Sequence, residues 1–268
     1  MTHENDEAVT VEIDGAVATM TFNQPEKRNS FTDKMLFDSL DRIEALVDDE
    51  NVRILVLTGA GRYFSVGGDL DEFAAGEFQP ADVPIGTSVA KLRRFMQLSQ
   101  YLRESRLITI AAVNGACAGA GLSVAAACDL RVSSERAVFR AAFLDAGLSG
   151  DFGGTWSLSR LLGEAKAKEF YMLNDRVSPQ EALRIGLVSR VFPEEGFLDQ
   201  ALSLAHDIAS KPPVALDLIK KNLTDTTTEF SVACDREALH HVLSGNTADA
   251  IEAAAAFLEK REPQFIGR

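Results

Sequence analysis

Apolar and polar residues alternate over residues 9–13 and again over 17–22, with Asp14-Gly15 between the two runs. A period of two reads as half-buried strand, and Asp-Gly is a turn pair that accepts positive φ, so the pattern predicts a β-hairpin. Asn23-Gln24-Pro25 breaks it. From Thr32 the period changes: Met35, Leu36, Leu40, Ile43, Leu46 and Val47 fall on one helical face, and Thr32 stands where an N-cap is favoured. Residues 52–57 and 108–113 are unbroken apolar runs, the pattern of strands buried on both faces. The first runs into a loop over 59–69, the second into a glycine turn and a helix over 121–127. Residues 130–133 and 137–139 predict short strands, and 155–162 and 165–173 predict helices. Ser178-Pro179-Gln180-Glu181 opens a further helix with a capping signature. Residues 71–88 hold Gly, Pro and Asp without a period, which predicts a mobile surface loop of the kind that serves as a lid. A helix over about 89–104 follows it. After Pro193 the chain reads as almost all helical, broken at Lys211-Pro212-Pro213 and near Gly245. Strand–helix alternation predicts an α/β fold. Its core would span 1–200 and a helical C-terminal region 201–268.

At 268 residues the chain can bury a sizeable core. Its net charge of −13 argues against nucleic acid, which needs a basic face, but allows a small anionic ligand held by a few cations. Cys117, Cys128 and Cys234 form no C-x-x-C pair, so neither a disulfide framework nor a zinc site is expected, and a reducing compartment fits. The start, MTHENDEAVT, is polar and acidic, unlike a signal or basic transit peptide. The apolar stretch 109–127 is interrupted by Asn114 and glycines, which predicts strand, turn and helix rather than a membrane span. A cytoplasmic protein is the expectation. The histidines are His3, His206, His240 and His241, so nothing between residues 4 and 205 could form a Ser-His-Asp triad or a histidine metal site.

Three glycine-bearing segments are candidates for chemistry. Gly67-Gly68 follows a buried strand, and glycine pairs let backbone approach a ligand, although a plain turn explains the pair when taken alone. Gly119-Ala120-Gly121 lies between a strand and a helix, where free N–H groups at the positive end suit an oxyanion or phosphate. A dinucleotide loop does not fit, because Val124 stands where G-x-G-x-x-G needs glycine. Asp151 is a lone acid in Gly147-Leu148-Ser149-Gly150-Asp151-Phe152-Gly153-Gly154-Thr155-Trp156. As an isolated observation it reads equally as an N-cap. Asp145 is a second polar contact or simply exposed. Two free N–H groups with one isolated carboxylate are the minimum needed to form an enolate and move its proton.

Taken together these segments resemble the crotonase superfamily, also called the enoyl-CoA hydratase/isomerase family. Phe64-Ser65-Val66-Gly67-Gly68-Asp69 and Ala112-Val113-Asn114-Gly115 stand in its order and spacing, and the likeness runs from Asn23-Gln24-Pro25-Glu26-Lys27-Arg28-Asn29-Ser30 to Ala256-Phe257-Leu258-Glu259-Lys260-Arg261. The resemblance implies a spiral of ββα turns, and a helical C-terminal region that forms homotrimers or dimers of trimers. It implies an oxyanion hole from the N–H groups of Gly68 and Ala120. Lys27, Arg28 and Arg62 would lie near coenzyme A phosphates, with Val66 and Gly68 along the ligand's path. Phe257 and Lys260 would reach a neighbouring subunit's ligand. Coenzyme A would be part of the substrate, with no metal or redox cofactor.

Hydratases of the family use two glutamates; the corresponding positions here are Ser123 and Phe143. Asp151 falls where certain isomerases of the family, including those acting on aromatic epoxides, carry their catalytic acid. Ser123, Phe143, Phe152 and Trp156 would line the acyl pocket, and burial near these aromatic residues should raise the Asp151 pKa. The resemblance implies a CoA-thioester isomerase, by double-bond shift or aromatic-epoxide ring expansion, in fatty acid or phenylacetate metabolism. The alternatives are an enoyl-CoA hydratase using Asp151 and water, and a non-catalytic CoA-binding subunit of a β-oxidation complex.

Overall fold

The computed structural model describes residues 7–75, 82–224 and 228–268. The hairpin forms as β1 (Val9–Asp14) and β2 (Val17–Phe22), paired antiparallel with Asp14 opposite Val17. The amphipathic segment is α1 (Asp33–Asp48), where the Thr32 hydroxyl accepts from Met35 N–H at 3.2 Å. Its apolar stripe of Met35, Leu36, Leu40, Ile43 and Leu46 is buried as the spacing requires.

Three turns of one motif follow. The first is β3 (Ile54–Gly59) and β4 (Tyr63–Ser65), then α2 (Leu70–Ala74), α3 (Ile85–Phe95) and α4 (Gln97–Glu104). The second is β5 (Ile108–Val113), β6 (Ala116–Ala118) and α5 (Ala120–Ala127). The third is β7 (Leu130–Ser134) and β8 (Val138–Arg140), then α6 (Gly154–Leu162) and α7 (Glu164–Leu173). The chain ends with α8 (Pro179–Arg184), β9 (Arg190–Phe192), α9 (Phe197–Ala209), α10 (Pro213–Thr224), α11 (Phe230–Gly245) and α12 (Ala248–Glu259). In every turn the first strand joins a six-stranded sheet, ordered β1-β2-β3-β5-β7-β9, and the second joins a three-stranded sheet, ordered β4-β6-β8. Apart from the hairpin, all pairings between these strands are parallel. This is the expected spiral of ββα turns in an α/β fold.

The unbroken apolar runs are explained by burial on both faces. Leu55, Leu57, Ala111 and Val113 belong to the main core, which includes Met35, Leu40 and Ile43 of α1. Their alternates Ile54, Val56, Ile110 and Ala112 face the other way and pack with Phe197, Ala201 and Ala205 of α9. The boundary anticipated at 200/201 therefore falls inside α9, a helix that belongs with the sheet. Buried Lys220 ties α10 to the core as well: its ammonium lies 2.9 Å from Asp129 and donates to Leu102 O at 3.1 Å and Leu107 O at 2.6 Å. A buried ammonium needs that full set of partners.

The loop expected over 71–88 is corrected at both ends. Leu70–Ala74 is helical and α3 begins at Ile85, while residues 76–81 lie outside the described residues. The single helix expected over 89–104 is two, α3 and α4, meeting at Met96. Strands β4, β6 and β9, three residues each, were not expected. Among the described residues no helix is long and apolar enough to cross a membrane.

Candidate active site

Strands β4 and β6 run parallel, with Ser65 opposite Cys117, so their carboxyl ends leave the small sheet side by side. After β4, Gly67 turns at φ 88° and its carbonyl accepts from Phe31 N–H at 2.7 Å. After β6, Gly119 turns at φ 55° and α5 begins at Ala120. A Cβ on Gly67 would lie 2.8 Å from Ala120 N, so the close approach of the two segments requires glycine there. Gly68 is exposed and Ala120 is buried. Among the described residues neither N–H has a hydrogen-bond partner. That of Ala120, as the first of its helix, has no helical acceptor and lies at the positive end of the dipole. Two unengaged donors thus sit beyond the carboxyl ends of parallel strands, where α/β folds bind ligands.

Asp151 is set by an unusual backbone. Gly150 (φ 114°), Phe152 (φ 47°) and Gly153 (φ 71°) are all left-handed, and for Phe152 this costs about 1–2 kcal/mol. Packing on either side fixes the turn. Phe152 is buried and its ring lies 5.8 Å from that of Phe31, the residue that holds Gly67. Gly154 sits against Ser123 of α5: a Cβ there would collide with the Ser123 hydroxyl and lie 2.7 Å from the Tyr171 hydroxyl. Asp151 is therefore bracketed by the segments that supply the two N–H groups.

The capping explanation of Asp151 fails. The N-cap of α6 is Gly153, with no side-chain hydrogen bond, and it is the Asp151 carbonyl that accepts from Gly154 N–H at 2.9 Å. The carboxylate atom Oδ1 is buried without a partner. Burial lifts the carboxyl from 3.8 to about 7. A carboxyl raised in this way is poised to exchange a proton near neutral pH.

Phe143 is buried and stacks on Tyr171 with ring centroids 5.9 Å apart and planes 14° from parallel. Ser123 is fully buried one turn into α5, its hydroxyl donating to Gly119 O at 3.4 Å. Trp156 differs from the other expected pocket residues. It is half-exposed on α6, and the guanidiniums of Arg103 and Arg160 lie 4.2 and 3.5 Å from its ring centroid. Asp145 is no second acid. It pairs with Arg140 at 2.6 Å and accepts from Asn174 Nδ2 at 2.9 Å, and Asn174 Oδ1 in turn accepts from Ala142 N–H at 2.7 Å.

Tyr171 was missed in the sequence. Its hydroxyl is buried, and no hydrogen bond of good geometry engages it. Burial pushes its pKa up to about 12. The nearby Ser123 hydroxyl works against that shift and the Asp151 charge adds to it. No local pattern marks this residue in the α7 sequence, because only the fold brings α7 against α5 and the Asp151 turn.

Lys27, Arg28 and Arg62 are all exposed. Buried Asn29 joins their two segments: Nδ2 donates to Ala60 O at 3.0 Å and Tyr63 O at 2.8 Å, and Oδ1 accepts from Gln24 N–H at 2.9 Å. Lys27 Nζ lies 3.8 Å from Asp69, the residue after Gly68, and Val66 is half-buried just before the glycine pair. The three cations therefore share a rim beside the Gly68 turn. Phe257 and Lys260 do not join it within one chain. They lie at the end of α12, which packs on α11, and Phe257 is 83% exposed. A separate cleft of about 510 Å³, lined by Thr58, Asn114, Arg136 and Glu194, contains none of these site residues, and Arg136 there is engaged by Asn114 O, Gly61 O and Glu194.

A sequence model described as enoyl-CoA hydratase/isomerase matches residues 12–268. The 1,2-epoxyphenylacetyl-CoA isomerase of Escherichia coli (strain K12) is 35% identical over 263 residues, 98% of this chain and 99% of that protein. The 2,3-dehydroadipyl-CoA hydratase of the same organism is 32% identical over 94% of this chain and 96% of its own length. A crystal structure of an enoyl-CoA hydratase from Polaromonas sp. JS666 superposes with a TM-score of 0.89 at 31% identity, covering 96% of this chain and 99% of that one.

Proposed function

The chain belongs to the enoyl-CoA hydratase/isomerase family, and from that premise we propose that it is a CoA-thioester isomerase with Asp151 as its single acid/base. One observation carries the reading: a buried carboxylate without a partner, raised to about 7, with Ser123 and Phe143 and no second acid at the two positions where family hydratases place glutamate. The thioester carbonyl sits on Gly68 N–H and Ala120 N–H. Asp151 removes a proton from one carbon of the acyl chain, the electrons move onto the carbonyl oxygen, and the two donors stabilise the enolate where its charge develops. Each such donor is worth about 3–4 kcal/mol to the transition state. The proton then returns from Asp151 to a different carbon. A 1,3-shift needs one shuttling base, whereas hydration also needs a water that is held and activated. The proton's return completes a double-bond shift; with an aromatic epoxide the carbon–carbon bond shared by the two rings breaks in the electrocyclic opening to the seven-membered ring, and Asp151 moves the proton from the carbon beside the thioester to the ring through the same enolate. Lys27, Arg28 and Arg62 offer cations for the coenzyme A phosphates at the rim.

A panel of 3-enoyl, 2-enoyl and aromatic-epoxide CoA thioesters tests this. Isomerisation of at least one member should outpace crotonyl-CoA hydration by 100-fold or more, about 3 kcal/mol in barrier. Efficient hydration would select the hydratase reading, and no turnover of any member would select a non-catalytic CoA-binding role.

We further propose a homotrimer or a dimer of trimers in which α12 completes a neighbour's site. Leu239, Val242, Leu243, Ile251 and Phe257 are 51–83% exposed in the single chain, more apolar surface than an isolated helical tail leaves in water. Lys260 would then meet coenzyme A phosphates of the next subunit, so Lys260→Ala should raise KM and spare kcat. A monomer by light scattering with full activity would remove this proposal.

A further inference from the structure

The pocket holds a second orphaned polar atom besides Asp151 Oδ1: the Tyr171 hydroxyl. Native structures pair nearly all buried polar groups, and an unpaired one beside the candidate base is open to a partner that arrives with the ligand. Its nearest polar neighbour is the Ser123 hydroxyl, which acts on its pKa without making a hydrogen bond of good geometry to it. The ring is fixed by the Phe143 stack, with Cε1 3.7 Å from the position of a Cβ on Gly150. The hydroxyl sits with that of Ser123 over Gly154, three residues beyond Asp151. The Ser123 hydroxyl is itself directed to Gly119 O. Phe143 and Phe152, the other buried side chains of this wall, are apolar. Tyr171 stays protonated at any physiological pH, so it presents a donor.

We propose that Tyr171 is the specificity-determining contact of the acyl pocket, and that its hydroxyl donates to an oxygen atom on the acyl group itself. An epoxide oxygen, a ring oxygen or a hydroxyl meets the requirement, and a plain hydrocarbon chain does not. The inference rests on the reading of the Asp151 pocket as the acyl site. A site built to hydrogen-bond a substrate oxygen discriminates strongly against the analogue lacking it, because its own group is then left unpaired. Ser123 supports the contact from α5 by filling the space beside the hydroxyl.

The test is binding, not turnover. Phenylacetyl-CoA and its 2-, 3- and 4-hydroxy derivatives have no double bond or epoxide to isomerise, and calorimetric titration gives their Kd values. The wild-type protein should bind at least one hydroxy isomer about tenfold or more tightly than phenylacetyl-CoA. Tyr171→Phe keeps the ring and its stack on Phe143. It should bring that ratio to about one while leaving phenylacetyl-CoA affinity unchanged or improved. No preference in the wild-type protein, or a preference that survives Tyr171→Phe, would overturn the inference, as would failure of all four compounds to bind. The ratio is read without catalysis. Loss of the isomerase proposal in the substrate panel would therefore leave it standing, and a working isomerase can still fail it.

Discussion

Asp151→Asn should lower isomerase turnover by about 1,000-fold or more while leaving the fold and CoA binding in place. General acid–base catalysis by one positioned group is worth about 10²–10⁴-fold, and here the same group both takes and returns the proton. No acid stands ready to replace it: Asp145 is held by Arg140 and Asn174, and Ser123 and Phe143 occupy the flanking positions. Asparagine matches aspartate in size, and the Asp151 side chain caps no helix, so the left-handed turn at 150–153 loses nothing it depends on. Stability should move the opposite way from activity. Because the folded-state pKa of about 7 lies above 3.8, the carboxyl's contribution is fully present below about pH 4 and is lost as pH rises through about 7. Above that point the buried charge is a liability that asparagine lacks. The variant should be more stable than the wild-type protein at pH 8, by about 2–4 kcal/mol, and the difference should vanish near pH 4. Urea unfolding at the two pH values measures this. Normal kcat in the folded variant would remove Asp151 from the mechanism.

Much of this site was legible in the sequence because each of its parts is local. The two glycine turns announce themselves by following apolar strands, and Asp151 stands out as one acid among glycine and apolar neighbours. Burial of β3 and β5 on both faces was readable from their unbroken apolar runs. What stayed hidden was non-local or short. Three-residue strands such as β4 and β6 are too short to show a period, yet their pairing sets Gly67 against Ala120 N. The helical segments at Leu70–Ala74 and Ile85–Phe95 were masked by a composition rich in turn residues, and tertiary context overrode it. Tyr171 lies twenty residues from Asp151 in sequence and reaches the pocket only because α5, α6 and α7 pack in succession. Phe257 and Lys260 were placed by resemblance alone, and the single chain leaves them far from β4 in its packing, on the helix that rests on α11.

The pH dependence of kcat/KM is the second large effect. This quantity reports the ionisation of the free enzyme. Asp151 must be ionised to remove the first proton, and desolvation alone sets its pKa, since no charged partner or hydrogen bond acts on the carboxylate. Tyr171, the titratable group beside it, does not ionise in the same window. Burial pushes its pKa up to about 12. A single ascending limb is therefore expected for the preferred CoA thioester, rising tenfold per pH unit below about 7 and level above it. Between pH 5 and pH 7 the rate should change by about 50-fold, where an ordinary aspartate of pKa about 3.9 would give a nearly flat line. The residual activity of Asp151→Asn should show no such limb. A profile measured over pH 4.5–9 decides the matter directly: one ionisation near 7 that disappears in Asp151→Asn is the result predicted, and a flat wild-type profile, or a limb that persists in the variant, contradicts Asp151 as the base.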